Sequence, residues 1–158
     1  MEKEKLRIRG LTSKDLPAIV EIDRKILGKS RLEYWKRKIE VSEFRPPLAS
    51  LVAEIDGKVI GFILGDVSGW EFGVPDNTGM IETLGVDPAY QRKGIARLLT
   101  EELIRSFRLN GVEKINTLVK WDDWDLLQFF HAMGFKRGRR INLELDLTEP
   151  LDGTREGD

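Results

Sequence analysis

An Asp56-Gly57 pair between two β-rich runs constrains the fold of this chain more than any other feature of its sequence. The runs cover residues 51–55 and 58–67, and an Asp-Gly pair between such runs is a strong signal for a tight turn joining two antiparallel strands. A lone hairpin is only marginally stable in water, so other strands or helices must pack against it. The pair therefore predicts an antiparallel sheet around which the remaining elements are arranged.

Strand and helix patterns follow one another in an informative order along the chain. Apolar residues in alternation predict further strands at residues 6–9, 80–86, 114–119 and 141–147. Capping boxes at residues 12–15 and 30–33 predict two helices, and two more helices are predicted after Asp87-Pro88 and after Asp123. The apolar side of the first helix is expected to include Leu16, Ile19, Val20, Ile26 and Leu27. The complete order predicts a mixed α/β sheet flanked by about four helices.

The length of 158 residues fits one domain, which we expect to span residues 1–147 and to be followed by a flexible acidic tail at 148–158. The chain has no cysteine and a single histidine, His131. This composition argues against thiolate zinc sites, cysteine nucleophiles and histidine-based triads, and we expect no metal.

The charges of the chain nearly cancel, with 26 basic and 27 acidic side chains. Proteins that bind nucleic acids are more often clearly basic, so we expect no nucleic-acid partner. No apolar run has the length of a signal peptide or a membrane span. We therefore expect a cytoplasmic protein that does not bind a membrane.

Residues 84–97 combine a strand end, a turn and a helix start rich in small and basic residues. The first backbone N–H groups of a helix have no internal partner, and the helix dipole adds positive charge there. Gly94 and Ala96 allow a ligand to approach the backbone, while Arg92, Lys93 and Arg97 add charge. The segment indicates a pyrophosphate site, and a surface turn with solvated basic residues is the alternative.

The sequence Gln-Arg-Lys-Gly-Ile-Ala at residues 91–96 resembles the Q/R-x-x-G-x-G/A motif of the GNAT superfamily of acyl-CoA-dependent N-acyltransferases. The preceding Val86-Asp87-Pro88 turn, the Gly134-Phe135 pair after the last helix and the order of elements are also similar to that family. The resemblance implies a GNAT fold, in which a twisted, mostly antiparallel sheet has a V-shaped opening between its two central strands. It further implies acetyl-CoA, or another acyl-CoA, as co-substrate and a primary amine that attacks the thioester directly.

The same resemblance implies which residues contact the cofactor and where this chain departs from the family. The implied cofactor-binding residues are Leu84, Gly85, Val86, Gln91, Arg92, Lys93, Gly94, Ile95, Ala96 and Arg97. Many members carry a tyrosine in the last helix, positioned to protonate the departing thiolate, and this chain has Phe130 there. A non-catalytic acyl-CoA sensor or interaction domain is therefore an alternative to an N-acetyltransferase.

Glu82 is the candidate catalytic base. It lies on the strand that enters the motif, and the period of two places it on one face with Met80 and Leu84. Such a carboxylate accepts the proton that an attacking amine must lose, although an outward-facing bystander is the alternative. His131 follows Phe130 by about one hundred degrees around the helix, so we expect it at the surface.

The sequence leaves the acceptor open among a protein lysine, a protein N-terminus and a small amine, and the oligomeric state open between monomer and homodimer. Tyr34 and Trp35 are expected in the core or at the rim of the acceptor site. Trp121 and Trp124 are expected to pack in the core.

Overall fold

The computed structural model describes residues 5–43, 49–68 and 77–148. Five strands form one sheet in chain order, namely β1 (Leu6–Gly10), β2 (Ser50–Ile55), β3 (Lys58–Ser68), β4 (Thr78–Val86) and β5 (Lys114–Thr117). The α-helices of these ranges are α1 (Leu16–Leu27), α2 (Leu32–Glu43), α3 (Ile95–Leu109) and α4 (Trp124–Ala132). Strands β1 to β4 are antiparallel neighbours and β5 is parallel to β4, which confirms the predicted mixed sheet. No helix within the described ranges is both long and apolar enough to cross a membrane.

Asp56 and Gly57 form the predicted turn between β2 and β3. Their φ angles are 50° and 83°, and Ile55 pairs with Lys58 across the turn. Left-handed backbone at both central positions matches the right-handed twist of the flanking strands, which is why Asp-Gly is favoured there. The hairpin prediction is confirmed.

Two apolar clusters hold the helices on opposite faces of the sheet. On one face, α1 and α2 bury Ile19, Ile22, Trp35 and Ile39 against β2 and β3. On the other face, α3 contributes Leu99, Leu103 and Phe107, and α4 contributes Phe130. Neighbouring strand residues such as Leu51 and Val52 belong to different clusters, as the alternation of side chains along a strand requires. The fold is a three-layer α/β arrangement.

The buried side of α1 differs in part from the predicted one. Ile19, Ile22 and Asp23 are buried, whereas Ile26 and Leu27 are exposed. The carboxylate of Asp23 accepts two hydrogen bonds of 2.9 Å from the guanidinium of Arg31, which directly precedes α2. This ion pair turns the polar Asp23 inward and lowers its pKa, despite the opposing effect of burial. The prediction is confirmed for Leu16, Ile19 and Val20, which pack in the cluster of α1 and α2, and it was wrong for Ile26 and Leu27.

The expectations for the chain after β5 were also wrong in part. The strand β5 ends at Thr117 instead of residue 119, and the predicted strand at 141–147 has no regular secondary structure. Trp121 and Trp124 are 81% and 71% exposed instead of packed in the core. Alternation is typical of a strand with one apolar face but does not specify a neighbour, and no strand in the described ranges pairs with residues 141–147. Residues 149–158 of the expected acidic tail lie outside the described residues.

Gly79 of β4 provides a test of the packing between the sheet and α3. A Cβ atom at this position would lie 2.7 Å from the ring of Phe107, which is 1% exposed and cannot move into solvent. We expect Gly79→Ala to lower the free energy of unfolding, measured in urea, by about 1–3 kcal/mol, as overpacking usually does. Gly138→Ala is the matched control, because nothing lies within 4 Å of its Cβ position. Equal effects of the two substitutions would contradict this packing.

Candidate active site

The sheet opens where β4 and β5 stop pairing. Their register runs from Thr78 opposite Lys114 to Ile81 opposite Thr117, where β5 ends. The strand β4 continues to Val86, so within the described residues it has no β5 neighbour beyond Ile81. This gap beside β4 corresponds to the V-shaped opening that the family resemblance implied.

A one-residue bulge in β4 lies at the start of this opening. Leu64 of β3 is opposite Thr83 and Gly65 is opposite Ile81, which makes Glu82 the extra residue of the bulge. Ile81 and Leu84 both contact the cluster formed with α3 and α4, although strict alternation would place them on opposite faces. The expectation that Glu82 shares a face with Leu84 was therefore wrong, because the bulge shifts the alternation at Glu82.

Glu82 instead faces α2 across a cleft of about 580 Å³, which we call the α2 cleft. One helix face supplies the other lining residues, which are Glu33, Tyr34, Arg37, Lys38 and Val41. The ammonium of Lys38 lies 3.3 Å from a carboxylate oxygen of Glu82. The cleft therefore combines apolar surface with paired charges of both signs. Trp35 is buried beneath it, against Phe62 of β3.

The turn after β4 leads directly into the start of α3. The side-chain amide of Gln91 donates a 3.2 Å hydrogen bond to the carbonyl oxygen of Val86 and closes this turn. Arg92 and Gly94 adopt left-handed backbone, with φ angles of 63° and 82°. Such conformations in a loop turn backbone N–H groups toward a common side, which is a geometry that binds anions. The first helical hydrogen bond of α3 runs from the N–H of Leu98 to the carbonyl oxygen of Gly94. The N–H groups of residues 95–97 come before it and therefore have no acceptor within the helix.

A second cleft, of about 270 Å³, lies between this helix start and α4, and we call it the anion cleft. Its lining includes Val86, Gln91, Arg92, Gly94, Ile95, Ala96 and Arg97, which all belong to the predicted cofactor-binding set. The other predicted residues do not line it. Leu84 packs on the α3 side, a Cβ at Gly85 would meet the ring of Phe62, and Lys93 extends over the ring of Tyr90 at 5.4 Å.

Both clefts also contain residues that the sequence prediction missed. Tyr90, the α4 residues Phe129 and Ala132, and Met133 directly after α4 line the anion cleft. Arg37 and Lys38 line the α2 cleft. Spacings of three and four residues place Phe129 with Ala132 and Met133, and Tyr34 with Arg37 and Lys38, on single helix faces. This spacing was a readable signal, but it identifies a lining face only once the sheet beside the helix is known.

Phe130 is a core residue. It is 5% exposed, and its ring centroid lies 5.2 Å from that of Phe129 and 4.9 Å from that of Phe135. His131 is exposed and lines neither cleft, as expected for a surface residue. Neither side chain is therefore positioned as a proton donor in the two clefts.

Asp87 fixes the turn between the two clefts. Its carboxylate is buried and accepts hydrogen bonds of 3.0 Å from the backbone N–H of Ala89 and from the ammonium of Lys25 in α1. Burial alone would raise the pKa of Asp87, but these two partners hold the pKa below its ordinary value. The ion pair attaches the turn beside the anion cleft to the helical layer that carries the α2 cleft.

Comparisons with known proteins agree on one family. The model of the family described as "Acetyltransferase (GNAT) family" matches residues 16–135. Acetyltransferase SG1711 from Sodalis glossinidius is 31% identical over 86 residues, which are 54% of this chain. The match covers 56% of the length of that curated relative.

Solved structures share the fold over most of the chain. The aminoglycoside N-acetyltransferase AAC(6')-Iy in complex with CoA has a TM-score of 0.78 and 18% identity, and the match covers 92% of this chain and 97% of that one. The ribosomal-protein-S18-alanine N-acetyltransferase from Escherichia coli has a TM-score of 0.69 and 20% identity, covering 85% and 79%. PaiA N-acetyltransferase from Thermoplasma acidophilum, in complex with coenzyme A, has a TM-score of 0.67 and 23% identity, covering 84% and 90%. These likenesses confirm the predicted GNAT fold.

Asp87→Asn tests the ion pair that fixes the turn. We expect the variant to lower the free energy of unfolding at pH 7 by about 1–3 kcal/mol. The neutral amide of asparagine cannot replace the charge-assisted hydrogen bonds that the buried carboxylate accepts. Because the pKa of Asp87 is depressed in the folded state, its ionised carboxylate stabilises the fold at pH values above the ordinary carboxyl pKa of about 3.9. This stabilisation is lost as the pH falls through the lower pKa of the folded state. The difference from wild type in urea unfolding should therefore shrink below about pH 4.

Glu21→Gln is the control for this measurement, since Glu21 pairs with Arg24 on the exposed surface of α1. Exposed pairs of this kind contribute little to stability, so this variant should unfold close to wild type at both pH values. A penalty for Asp87→Asn that grows in acid would contradict the depressed pKa.

Proposed function

The chain belongs to the Acetyltransferase (GNAT) family, and we propose that it transfers an acetyl group from acetyl-CoA to a primary amine. One observation carries the proposal, namely that the opening between β4 and β5 has an anion cleft beside it and a carboxylate at the bulge. A thioester held at this opening would lie between a phosphate-binding helix start and the side chain of Glu82. The α2 cleft would then receive the acceptor.

Binding of acyl-CoA is supported by the chemistry of the anion cleft. The backbone N–H groups of Ile95 and Ala96 at the start of α3 suit the oxygens of a pyrophosphate. Arg92 and Arg97 line the same cleft and add positive charge. The backbone of residues 84–86, beyond the end of β5, offers N–H and C=O groups to the amide-containing pantetheine arm. Two of the similar structures, AAC(6')-Iy and PaiA, were solved with CoA.

An amine acceptor is supported by the Lys38–Glu82 contact, because an alkylammonium group already lies 3.3 Å from the carboxylate. The ammonium of a substrate would compete with Lys38 for the same oxygen atoms. The similar structures include enzymes named for aminoglycosides and for the alanine of ribosomal protein S18. Our proposal therefore covers a small amine, a protein N-terminus and a protein lysine as acceptor classes.

In the proposed reaction, the amine nitrogen attacks the thioester carbonyl carbon, a C–N bond forms and the C–S bond breaks. The acceptor first loses its ammonium proton to Glu82, directly or through ordered water. For a lysine-like pKa of about 10.4, forming the free amine at pH 7 costs about 4.6 kcal/mol, which motivates a base. CoA leaves as a thiolate with a pKa near 8.5 and takes up the second amine proton. A thiolate of this basicity can leave without a side-chain acid, consistent with Phe130 in the core.

Gly94→Asp tests acyl-CoA binding. Wild-type protein should be stabilised against heat by acetyl-CoA, by about 2.7 kcal/mol at one hundred times Kd. The aspartate would add a negative charge and a side chain at the helix start, so we expect the variant to lose the thermal shift. Calorimetric titration with acetyl-CoA measures both effects directly.

Gly111→Asp is the matched control for this substitution. Gly111 has a φ of 79° and an open Cβ position like Gly94, but it follows the opposite end of α3. The Gly111→Asp variant has the same backbone strain and the same added charge, but away from the anion cleft. Acetyl-CoA should therefore still stabilise it against heat. Absence of binding of any acyl-CoA to wild-type protein would refute the proposed function.

Glu82→Gln tests the base. We expect kcat/KM to fall by about 10²- to 10⁴-fold, the usual contribution of a general base, while acetyl-CoA affinity barely changes. The pH profile should move toward alkaline values as free amine replaces the lost base. The measurement is release of CoA with a panel of amines between pH 6 and 9.

Glu33→Gln removes another carboxylate of the α2 cleft and should keep kcat within a few-fold of wild type. A Glu82→Gln variant with unchanged kcat/KM across this pH range would reject Glu82 as the base. Tight acetyl-CoA binding without transfer to any amine would instead favour the non-catalytic acyl-CoA sensor.

A further inference from the structure

The charges that line the α2 cleft balance one another before any acceptor binds. Arg37 and Lys38 contribute two positive charges, and Glu33 and Glu82 contribute two negative charges. An amine with a lysine-like pKa of about 10.4 arrives as an ammonium ion at neutral pH. An acceptor with no other charge would therefore leave the occupied cleft with an excess of positive charge.

The contact between Lys38 and Glu82 occupies the place that an acceptor ammonium needs. The two side chains are 27% and 20% exposed, and the ammonium of Lys38 lies 3.3 Å from the carboxylate. For Glu82 to take a proton from an acceptor, the acceptor nitrogen must come within hydrogen-bond distance of the same carboxylate. Lys38 would then lose this partner, and a partly buried charge that loses its partner is costly. A negative group on the acceptor would compensate Lys38.

Arg37 provides a second positive group for such an anion. It follows Tyr34 by three residues, lines the same cleft and is exposed. No carboxylate of the described residues forms an ion pair with Arg37. The planar guanidinium of an arginine matches the two oxygens of a carboxylate in a bidentate pair. Arg37 and Lys38, which are neighbours in the sequence, therefore suit one carboxylate group.

Tyr34 and Val41 add an apolar wall to the α2 cleft. The guanidinium of Arg31 lies 4.3 Å from the centroid of the Tyr34 ring and holds this ring by a cation–π contact. Arg31 is itself fixed by its two hydrogen bonds of 2.9 Å to the buried Asp23. The wall is thus ordered before an acceptor binds, and it suits the apolar part of an organic amine.

Resting on the proposed function, we propose that the acceptor is a primary amine that carries a carboxylate close to its amino group. Its ammonium replaces that of Lys38 at Glu82, and its carboxylate binds Arg37 and the displaced Lys38. The carboxylate takes no part in the chemistry, and the amine nitrogen forms the new C–N bond as described above. The charge of the cleft stays balanced throughout, whereas a polyamine would add to the charges of Arg37 and Lys38. A free amino acid and a peptide with an acidic residue beside its N-terminus both have this chemistry.

Matched pairs of amines test the proposed acceptor class. L-phenylalanine and 2-phenylethylamine share an apolar body and differ in the carboxylate. Two amidated peptides that begin Ala-Glu and Ala-Gln differ in the same way, and spermidine represents the polyamines. We expect kcat/KM, measured as CoA release from acetyl-CoA, to favour the carboxylate member of at least one pair by about ten- to a hundredfold, as charge-assisted hydrogen bonds do. The pair with the higher kcat/KM identifies the source of the acceptor.

Arg37→Glu tests the residue that we assign to the carboxylate. We expect KM for the carboxylate member of the preferred pair to rise by at least about tenfold, while KM for its carboxylate-free partner rises less or falls. Lys36→Glu is the matched control, because it makes the same charge change on α2 at an exposed position that does not line the cleft. At an ionic strength of about 0.15 M, charges more than about 8 Å apart are largely screened, so this control should keep the wild-type ratio. Both positions are exposed, and circular dichroism establishes that both variants are folded.

A calorimetric titration separates this inference from the proposed function. The same amines are titrated into protein saturated with CoA, which measures acceptor binding without acetyl transfer. A carboxylate preference in binding without transfer to any amine would refute the proposed function and support the inference on the cleft. Transfer to 2-phenylethylamine or spermidine at least as efficient as transfer to L-phenylalanine and the acidic peptide would refute the inference and leave the proposed function intact. Absence of binding of every amine, or an Arg37→Glu variant with the wild-type ratio, would also overturn the inference.

Discussion

The candidate site depends on the point at which β4 stops pairing with β5. The two strands pair up to Ile81 and Thr117, where β5 ends, while β4 continues to Val86. Glu82 is the extra residue of the bulge, so Ile81 and Leu84 both pack against the cluster of α3 and α4. The carboxylate of Glu82 faces α2 on the other side of the sheet. Backbone groups inside a sheet are normally all paired, so a ligand can reach them only where a strand has lost its neighbour. One bulge and one short strand therefore create both the opening and the position of its carboxylate.

The helix α1 relates the two clefts to each other through ion pairs of buried aspartates. Asp23 in α1 pairs with Arg31 before α2, and Lys25 in α1 pairs with Asp87 after β4. The pKa values of both aspartates lie below their ordinary value, so the pairs stabilise the fold at neutral pH and weaken in acid. Loss of Arg31 or Lys25 would leave a buried carboxylate without its cationic partner, which costs more than loss of a surface pair. The position of α2 relative to the start of α3 thus depends on a few polar contacts in addition to apolar packing.

Local signals in the sequence predicted the features that depend on local chemistry. The Asp56-Gly57 turn, the Asp123 cap of α4 and the helix start at Gly94 each follow from residue types at fixed spacing, and the structure has all three. Apolar periodicity located Leu16, Ile19 and Val20 of α1 in the cluster but not the buried Asp23, whose partner Arg31 is eight residues away. The bulge at Glu82 depends on the register with β3, which no window of the sequence contains. For that reason the direction of the Glu82 side chain could be found only in three dimensions.

Residues 141–147 show why a strand predicted from local alternation does not always form. Strict alternation over seven residues favours a strand with one buried face, but that face is exposed and none of the described strands pairs with the segment. A window of sequence contains the alternation but not the partner strand, so the strand prediction failed at residues 141–147.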